Sequence, residues 1–254
     1  MNILLTGHKG FIGSALEYRL LRANHVVFGI DIKDSASDDL LHYTNWPKKI
    51  DLIIHLAGKS GVRESLKDPA GYWMNNIEAS RRLFEAYADT RILYASSSSA
   101  YEPDLNPYAA SKYCLEELAE RYPNTLGMRF HTVYSDTPRP GMFFDKLLMG
   151  KLEYVTNHYR DFIHISDVVD AIKILIKSTH INGVVDIGTG NPIKIQDLAH
   201  DLPVRLNTPG EREWTCANTE IMSSLGFEPK YTVEKFLTNN ELDNIIYLNN
   251  GETV

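Results

Sequence analysis

The stretch MNILLTGHKGFIG, residues 1–13, decides the fold of this chain. An apolar run at residues 3–5 is typical of a buried strand, and three glycines follow it at Gly7, Gly10 and Gly13. Glycine lets a backbone turn with positive φ or come close to a ligand. A helix that begins after these glycines would present free backbone N–H groups and the positive end of its dipole to a phosphate. The spacing therefore predicts a strand, a tight turn and a helix that together bind a dinucleotide.

Strand-like and helix-like segments alternate after the glycine turn. Apolar runs predict further strands at residues 26–30, 51–56, 91–95, 126–130 and 184–187. Apolar residues at helical spacing predict helices at residues 10–23, 72–88, 108–121, 142–149 and 167–177. Right-handed connections between such strands place helices on both faces of a parallel sheet. We therefore expect an α/β fold, a Rossmann-like doubly wound parallel sheet with a small C-terminal substrate-binding lobe.

The pattern changes after Phe130, and this change suggests how the chain is divided. We expect residues 1–132 to form an NAD(P)-binding domain that also receives residues 160–188, because the helix and strand predicted there can join the sheet. Residues 133–159 and 189–254 then form the small substrate-binding lobe.

Composition limits the classes of function. The 254 residues carry a net charge of −7, and no more than two lysines or arginines adjoin one another. This balance argues against nucleic acid or an anionic membrane as a partner. No apolar run has membrane-spanning length, and the first strand begins too close to Met1 for a signal peptide. Cys114 and Cys216 lack metal-site spacing, so we expect reduced thiols, no metal site and a cytoplasmic protein.

Asp31 follows the second predicted strand, where dinucleotide-binding sheets meet the adenosine ribose. Its carboxylate can accept hydrogen bonds from the ribose hydroxyls and would repel a 2′-phosphate. It therefore favours NAD over NADP, although the nearby Lys33 could tolerate a phosphate. The alternative is that Asp31 only caps a turn.

The sequence Tyr108-Ala-Ala-Ser-Lys112 lies on a predicted helix, where residues four apart share a face. An ammonium near a phenol stabilises the phenolate and lowers the tyrosine pKa, so Tyr108 is a candidate general base. A serine from residues 96–99, at the end of the preceding strand, can position the hydroxyl that is oxidised. The alternative is a surface pair of tyrosine and lysine, but the dinucleotide-binding frame before it favours catalysis.

Several motifs in this order resemble the extended short-chain dehydrogenase/reductases, in the family of nucleotide-sugar epimerases and dehydratases. The glycine turn and His55-Leu-Ala-Gly58 are two of them. Others are the pattern at residues 69–80, the serines before Tyr101, and the segments at residues 160–167 and 185–190. The resemblance extends to residues 225–229 and so covers most of the chain.

The resemblance implies roles for individual residues. Ser97, four positions before Tyr101, takes the place of the family's catalytic Ser or Thr, and Tyr108 and Lys112 take the other two catalytic places. NAD would be held by residues of the glycine turn, the strand ends and the catalytic helix: Gly7, Lys9, Gly10, Phe11, Ile12, Gly13, Asp31, Leu56, Ala57, Gly58, Asn76, Ser96, Tyr108 and Lys112.

The implied substrate is a nucleoside-diphosphate sugar. Its candidate ligands are Ser98, which is also the second choice for the catalytic serine, together with Arg139 and Arg212. A guanidinium matches phosphate oxygens bidentately, but either arginine can equally be a surface charge, and Arg212 is the better candidate. Arg160 and His164 more simply anchor the structure or line the edge of the pocket.

The implied reaction is 4-epimerisation through a 4-keto sugar. Tyr108 would take the proton from the sugar hydroxyl while hydride passes to NAD, with Lys112 holding the phenolate and the ribose. The sugar would then turn over and take the hydride back on its other face. Ser98 and Ser99 stand where dehydratases of the family have an Asp-Glu pair, which argues against dehydration.

Two other functions stay open at this point. One is an NAD(P)-dependent reductase of a 4-keto nucleotide sugar, and the other is a non-catalytic dinucleotide-binding regulator of the same fold. The substrate loops at residues 102–107 and 134–160 are short for the family, which leaves the sugar undetermined. Family members usually dimerise through helices equivalent to residues 75–88 and 108–121, so we also expect a homodimer.

Overall fold

The computed structural model of this chain describes residues 1–206 and 208–240. Its strands are β1 (Asn2–Thr6), β2 (Val26–Ile30), β3 (Leu52–His55), β4 (Arg91–Ser97), β5 (Thr125–Phe130), β6 (Thr132–Tyr134), β7 (Val155–Thr156), β8 (Tyr159–His164), β9 (Gly183–Ile187), β10 (Pro192–Lys194) and β11 (Val204–Arg205). Its α-helices are α1 (Phe11–Arg22), α2 (Val62–Lys67), α3 (Pro69–Trp73), α4 (Ala79–Ala86), α5 (Pro107–Ala119), α6 (Phe143–Leu148), α7 (Ile165–Lys177), α8 (Glu220–Ser224) and α9 (Val233–Asn239). A π-helical turn, Met74–Glu78, joins α3 to α4.

Six strands form a parallel sheet in the order β2-β1-β3-β4-β5-β9. The chain runs outward from β1 in both directions, so the strand order reverses between β1 and β3. Thr6, at the end of β1, pairs with Ile30 on one side and with His55 on the other. The three strand ends are thus level and open onto one edge, where such sheets bind ligands. The predicted α/β fold with a parallel sheet is confirmed.

Both faces of the main sheet are covered, which explains why its strands read as continuous apolar runs. Successive side chains of a strand point to opposite faces. One face packs against α1 and α7, in a cluster that includes Leu5, Leu16, Ile54, Ile172 and Val185. The other face packs against α4 and α5, in a cluster that includes Leu4, Ile53, Phe84, Tyr94 and Leu115.

A smaller sheet, β10-β8-β6, lies beside the main one and has an apolar cluster of its own. The sequence pattern does not predict β8, because Asp161 interrupts its apolar run. Asp161 is fully buried, and its carboxylate accepts hydrogen bonds from Thr189 N, Thr189 Oγ1, Gly190 N and Ala217 N at 2.7–2.9 Å. Three of these bonds hold β8 against the loop that follows β9, and the bond from Ala217 N holds it against the segment before α8.

The outer surfaces of the π-turn and α5 expose large side chains, among them Met74 and Tyr113. The expected homodimer would use this region and stays a prediction. Cys114 and Cys216 are both unpaired. Across the part of the chain that is described, no helix is both long and apolar enough to cross a bilayer. Within residues 1–206 and 208–240, no three His, Cys, Asp or Glu residues gather as metal ligands would.

Candidate active site

The glycine turn joins β1 to α1 as the sequence predicts. Gly7 has a φ of +72°, and a Cβ there would lie 2.6 Å from Ala57 N. A Cβ on Gly13 would overlap the Gly7 carbonyl oxygen. Only residues without a side chain fit these two places, so the turn packs directly onto the end of β3. α1 begins at Phe11 without a side-chain cap and without an acidic residue in its first turn. The cradle therefore suits a pyrophosphate.

Asp31 lies at the end of β2 and is buried. Its two carboxylate oxygens accept hydrogen bonds from Lys9 N and Lys33 N, both at 2.9 Å. These bonds fix the carboxylate beside the glycine turn and leave each oxygen a lone pair for a ribose hydroxyl. Lys33 Nζ donates to the Lys9 carbonyl oxygen at 3.0 Å, so a cation also lies at this end of the site.

Leu56, Ala57 and Gly58 continue from β3 toward the same edge, with Leu56 N donating to the Thr6 carbonyl oxygen at 3.1 Å. Asn76, in the π-helical turn, donates to the Lys59 carbonyl oxygen and accepts from Lys59 N. The Asn76 side chain is therefore committed to holding the loop after β3. Direct contact between this side chain and the cofactor stays a prediction.

Helix α5 carries the candidate base. Asn106 caps it by accepting a hydrogen bond from Ala109 N at 2.8 Å, and Pro107 occupies its first position. Tyr108 therefore lies in the first turn of the helix, where its ring packs edge-on against Tyr72 at 6.1 Å between centroids. The helix start thus fixes where the phenol can point.

Tyr108 and Ser97 meet at the end of β4. Burial raises the pKa of Tyr108, while hydrogen bonding with the Ser97 hydroxyl and the positive charge of Arg139 lower it. The lowering of this pKa by Lys112, which the sequence predicts, is not among these effects. Lys112 Nζ donates a hydrogen bond to the Ala95 carbonyl oxygen at 2.8 Å, and an effect of its charge on Tyr108 stays a prediction.

Lys112 is 5% exposed, and its burial lowers its pKa to about 8 against the raising effect of Glu116. A Cβ added to Gly58 would lie 3.6 Å from Lys112 Nζ. The ammonium is therefore near the end of β3 as well as β4, between the two strands whose ends border the predicted nicotinamide position.

Ser96 and Ser98, the other two serines with predicted roles, are engaged elsewhere. The Ser96 hydroxyl donates to Glu116, which forms an ion pair with Arg129. Ser96 points to the face of β4 opposite to Ser97, so any cofactor contact would have to come from its backbone. Ser98 is buried in a short 3₁₀ turn, and its carbonyl oxygen accepts from Arg212 Nη1 at 2.6 Å.

The two predicted substrate arginines lie at different places. Arg139 is half-buried in the loop after β6, where its charge acts on the phenols of Tyr72 and Tyr108. Arg212 is held by Glu102 Oε1 at 2.6 Å and lies over the Tyr101 ring at 5.5 Å. The structure brings Arg139 to the candidate base and Arg212 to the serine turn. Diphosphate binding by either stays a prediction.

The sequence pattern predicts no role for His55, the polar end of β3. His55 is 1% exposed and bridges Thr6 Oγ1 at 2.7 Å and Ser80 Oγ at 2.8 Å. Burial and the charge of Lys112 lower its pKa to about 3, so it stays neutral. It ties the ends of β1 and β3 to α4. A lone histidine in a buried apolar run is the sequence signal for such a bridge.

The Glu116–Arg129 pair was also missed. Arg129 Nε lies 2.9 Å from Glu116 Oε1, and the guanidinium lies 4.2 Å above the Tyr101 ring. Tyr101 in turn donates to both carboxylate oxygens of Asp186. These contacts join α5, β5, β9 and the serine turn. They depend on residues that are distant in sequence, so spacing alone could not reveal them.

Comparison with known proteins agrees with this geometry. Residues 3–188 match the model of the NAD dependent epimerase/dehydratase family. This chain belongs to that family. The predicted family, its Rossmann-like fold and NAD as its cofactor are thereby confirmed.

Individual family members with related sequences cover nearly the whole chain. A UDP-glucuronate 4-epimerase from Thermodesulfobacterium geofontis is 27% identical over 92% of this chain and 93% of its own. MoeE5, solved with UDP-glucuronic acid and NAD, is 28% identical, with a TM-score of 0.83 over 96% of this chain and 99% of its own. A UDP-glucuronic acid 4-epimerase from Bacillus cereus, solved with UDP-glucuronic acid and NAD, is 28% identical, with a TM-score of 0.82 over the same shares.

Proposed function

We propose that this protein is an NAD-dependent 4-epimerase of a nucleoside-diphosphate sugar. The observation that carries the proposal is the meeting of Ser97 and Tyr108 at the end of β4, with Lys112 one helical turn further on. This triad lies at the strand edge onto which the dinucleotide cradle of Gly7 also opens. The acceptor of the hydroxyl proton and the acceptor of the hydride would therefore lie beside the same C–OH group of the sugar.

The residues present fit NAD. The first turn of α1 and the glycine turn would hold the pyrophosphate, Asp31 the adenosine ribose, and Lys112 the nicotinamide ribose. When bound, NAD supplies a reversible acceptor for the hydride. The residues of the chain would position the cofactor and the sugar and would carry out the proton transfers.

Tyr108 would take the proton of the sugar 4-hydroxyl at its phenolate oxygen, and Ser97 would orient that hydroxyl by hydrogen bonding. Arg139 and the Ser97 hydroxyl both favour the phenolate. The ammonium of Lys112, whose pKa is about 8, would also favour the phenolate once it faces the ribose. After the 4-keto sugar has turned over in the pocket, Tyr108 would return the proton to the C4 oxygen. The hydride would then add to the opposite face of C4.

The sugar is the less determined part of the proposal. Arg139 places a cation beside the candidate base, and so beside the substituents next to the reacting carbon. A carboxylate at C6 would pair with this cation, and relatives at 27–28% identity act on or bind UDP-glucuronate. UDP-glucuronate is therefore the first substrate to test. Arg212 could reach a diphosphate only by leaving Glu102 or sharing its guanidinium with it.

The experiment is a screen of purified protein against UDP-, dTDP- and GDP-sugars, with NMR detection of the C4 epimer. We expect epimerisation of at least one UDP-sugar without net formation of NADH. Consumption of stoichiometric NADPH with a 4-keto sugar would show a reductase instead. Binding of NAD without turnover of any nucleotide sugar would contradict the enzyme assignment.

A further inference from the structure

A cavity of about 220 Å³ lies among the end of β6, the start of α7 and helix α9. None of its lining residues belongs to the glycine turn or to α5. Its polar lining includes Tyr134, Asp136, His164 and Lys235. The cavity is therefore a second polar site, separate from the candidate active site.

Two of the residues that line this cavity each carry a buried polar atom without a hydrogen-bond partner among the residues described: Tyr134 Oη and His164 Nε2. Tyr134 is 4% exposed and His164 is 2% exposed. A buried donor without an acceptor destabilises the folded chain, because it has lost its hydrogen bonds to water. An acceptor that reaches both Tyr134 Oη and His164 Nε2 would therefore stabilise this part of the fold.

Both atoms are donors. Ser166 N donates to His164 Nδ1 at 3.3 Å, which places the imidazole proton on Nε2. Burial lowers the pKa of His164, against the opposing charges of Asp136 and Asp167, so the ring stays neutral. Burial likewise raises the pKa of Tyr134, which keeps its hydroxyl protonated. The cavity therefore offers one N–H and one O–H, with the Lys235 ammonium on its lining.

The acceptor that fits is already beside the cavity. Asp136 Oδ2 lies 3.7 Å from His164 Nε2, too far for a hydrogen bond, and the Asp136 side chain is 74% exposed. A shift of about 1 Å would bring it to the usual length for this bond. A free anion would instead have to enter against the charge of Asp136. A carboxylate has two oxygens, one for each donor, and the Lys235 ammonium would offset its charge.

The loop that carries Asp136 also carries Arg139. Pro138 and Pro140 flank Arg139 and restrict the backbone on both sides of it. The Ser135 hydroxyl donates to the Thr137 carbonyl oxygen at 2.5 Å. Three residues span at most about 10 Å, so a fixed Asp136 restricts where Arg139 can lie.

We propose that Asp136 is a positioning residue whose carboxylate closes onto Tyr134 Oη and His164 Nε2 and thereby holds Arg139 beside Tyr108. The inference rests on the proposed function, in which Tyr108 is the general base. Asp136 itself touches neither substrate nor cofactor. It acts through the short, proline-stiffened loop.

The closure is tested without any substrate. The protein is labelled with ¹⁵N-histidine and studied by NMR. The signal that is absent from the His164→Gln variant, which keeps Asp136, is assigned to the His164 Nε2 proton. We expect a slowly exchanging, downfield proton in the wild type that moves upfield and exchanges fast in Asp136→Ala. The same signal in wild type and in Asp136→Ala would overturn the closure.

The link to Arg139 is tested by a double-mutant cycle on turnover. We expect Asp136→Ala to lower kcat/KM by about 10- to 100-fold, as displaced catalytic groups do. In an Arg139→Ala background the same change should cost less than about 2-fold, because the residue it positions is gone. Asp136→Asn keeps one acceptor oxygen and should lie between. Asp201→Ala, at another exposed aspartate, should match the wild type.

The outcomes separate the two proposals. Turnover of no nucleotide sugar by the wild type contradicts the proposed function, whatever the imidazole proton shows. Wild-type turnover with an undiminished Asp136→Ala variant, or with additive losses in the cycle, contradicts the positioning role and leaves the proposed function standing.

Discussion

The Lys112 ammonium donates a hydrogen bond to the Ala95 carbonyl oxygen at 2.8 Å. This bond ties the catalytic helix α5 to β4 two positions before Ser97. The ammonium is buried there, and this burial lowers the pKa of Lys112 to about 8. The bond thus holds Lys112, four positions after Tyr108 on α5, at the strand that ends in Ser97.

The buried Lys112 should make stability depend on pH. Its ordinary pKa is 10.5, and its folded pKa is about 8. Between these values the unfolded chain binds the proton and the folded chain does not, so stability should rise with pH by up to about 1.4 kcal/mol per unit. Urea unfolding of nucleotide-free protein from pH 7 to 9.5 measures this slope. Lys112→Met should remove the rise, and an equal slope in the variant would refute the assignment.

Tyr108→Phe should lower kcat by at least about 10³-fold, because no other group replaces the proton acceptor. NAD affinity should change by less than about 2-fold, since the ring and its packing on Tyr72 remain. Ser97→Ala removes only the orienting hydroxyl and should cost about 10- to 100-fold. Fluorescence titration with NADH and steady-state kinetics provide the two readouts. A Tyr108→Phe variant with more than a tenth of wild-type turnover would exclude Tyr108 as the base.

Gly7→Ala should abolish NAD binding and strongly destabilise the fold, because its Cβ would lie 2.6 Å from Ala57 N. Gly226 is a matched control, since it has a similar φ of +79° but nothing within 4 Å of a Cβ. Gly226→Ala should cost about 1 kcal/mol from backbone strain and leave NAD affinity unchanged. Thermal melting and calorimetric titration separate strain from steric overlap. Equal behaviour of the two variants would argue against the close packing of the glycine turn.

Asp31→Ala should reduce the preference for NAD over NADP. The variant loses both the acceptor for the ribose hydroxyls and the charge that repels a 2′-phosphate, while Lys9 and Lys33 stay nearby. We expect NAD affinity to fall about 10-fold, the worth of one hydrogen bond to a charged group, and NADP affinity to rise. Binding titrations with both nucleotides measure the ratio. A ratio unchanged from the wild type would leave Asp31 with only the role of a turn cap.

Local sequence signals were enough to predict the parallel sheet of this protein and its glycine turn. The glycine spacing after β1 and the apolar runs of the six main strands act within a few residues, so the sequence reveals them. Contacts between distant segments were out of reach. Asp161 binds the loop after β9, and His55 joins β1 to α4. Lys112 donates a hydrogen bond to the Ala95 carbonyl oxygen of β4. Such partners depend on how the sheet and helices pack, which local spacing does not encode.

The most direct test of the central claim is the fate of a deuterium at C4 of a UDP-sugar substrate, with UDP-glucuronate first. If Tyr108 removes only the hydroxyl proton and the hydride returns to the carbon it left, the C4 epimer keeps the deuterium in H₂O without added NADH. Mass spectrometry of the product measures this retention, which should be nearly complete in the first turnovers. Loss of the label to solvent, or its accumulation in reduced nucleotide with a keto sugar as product, would contradict the account.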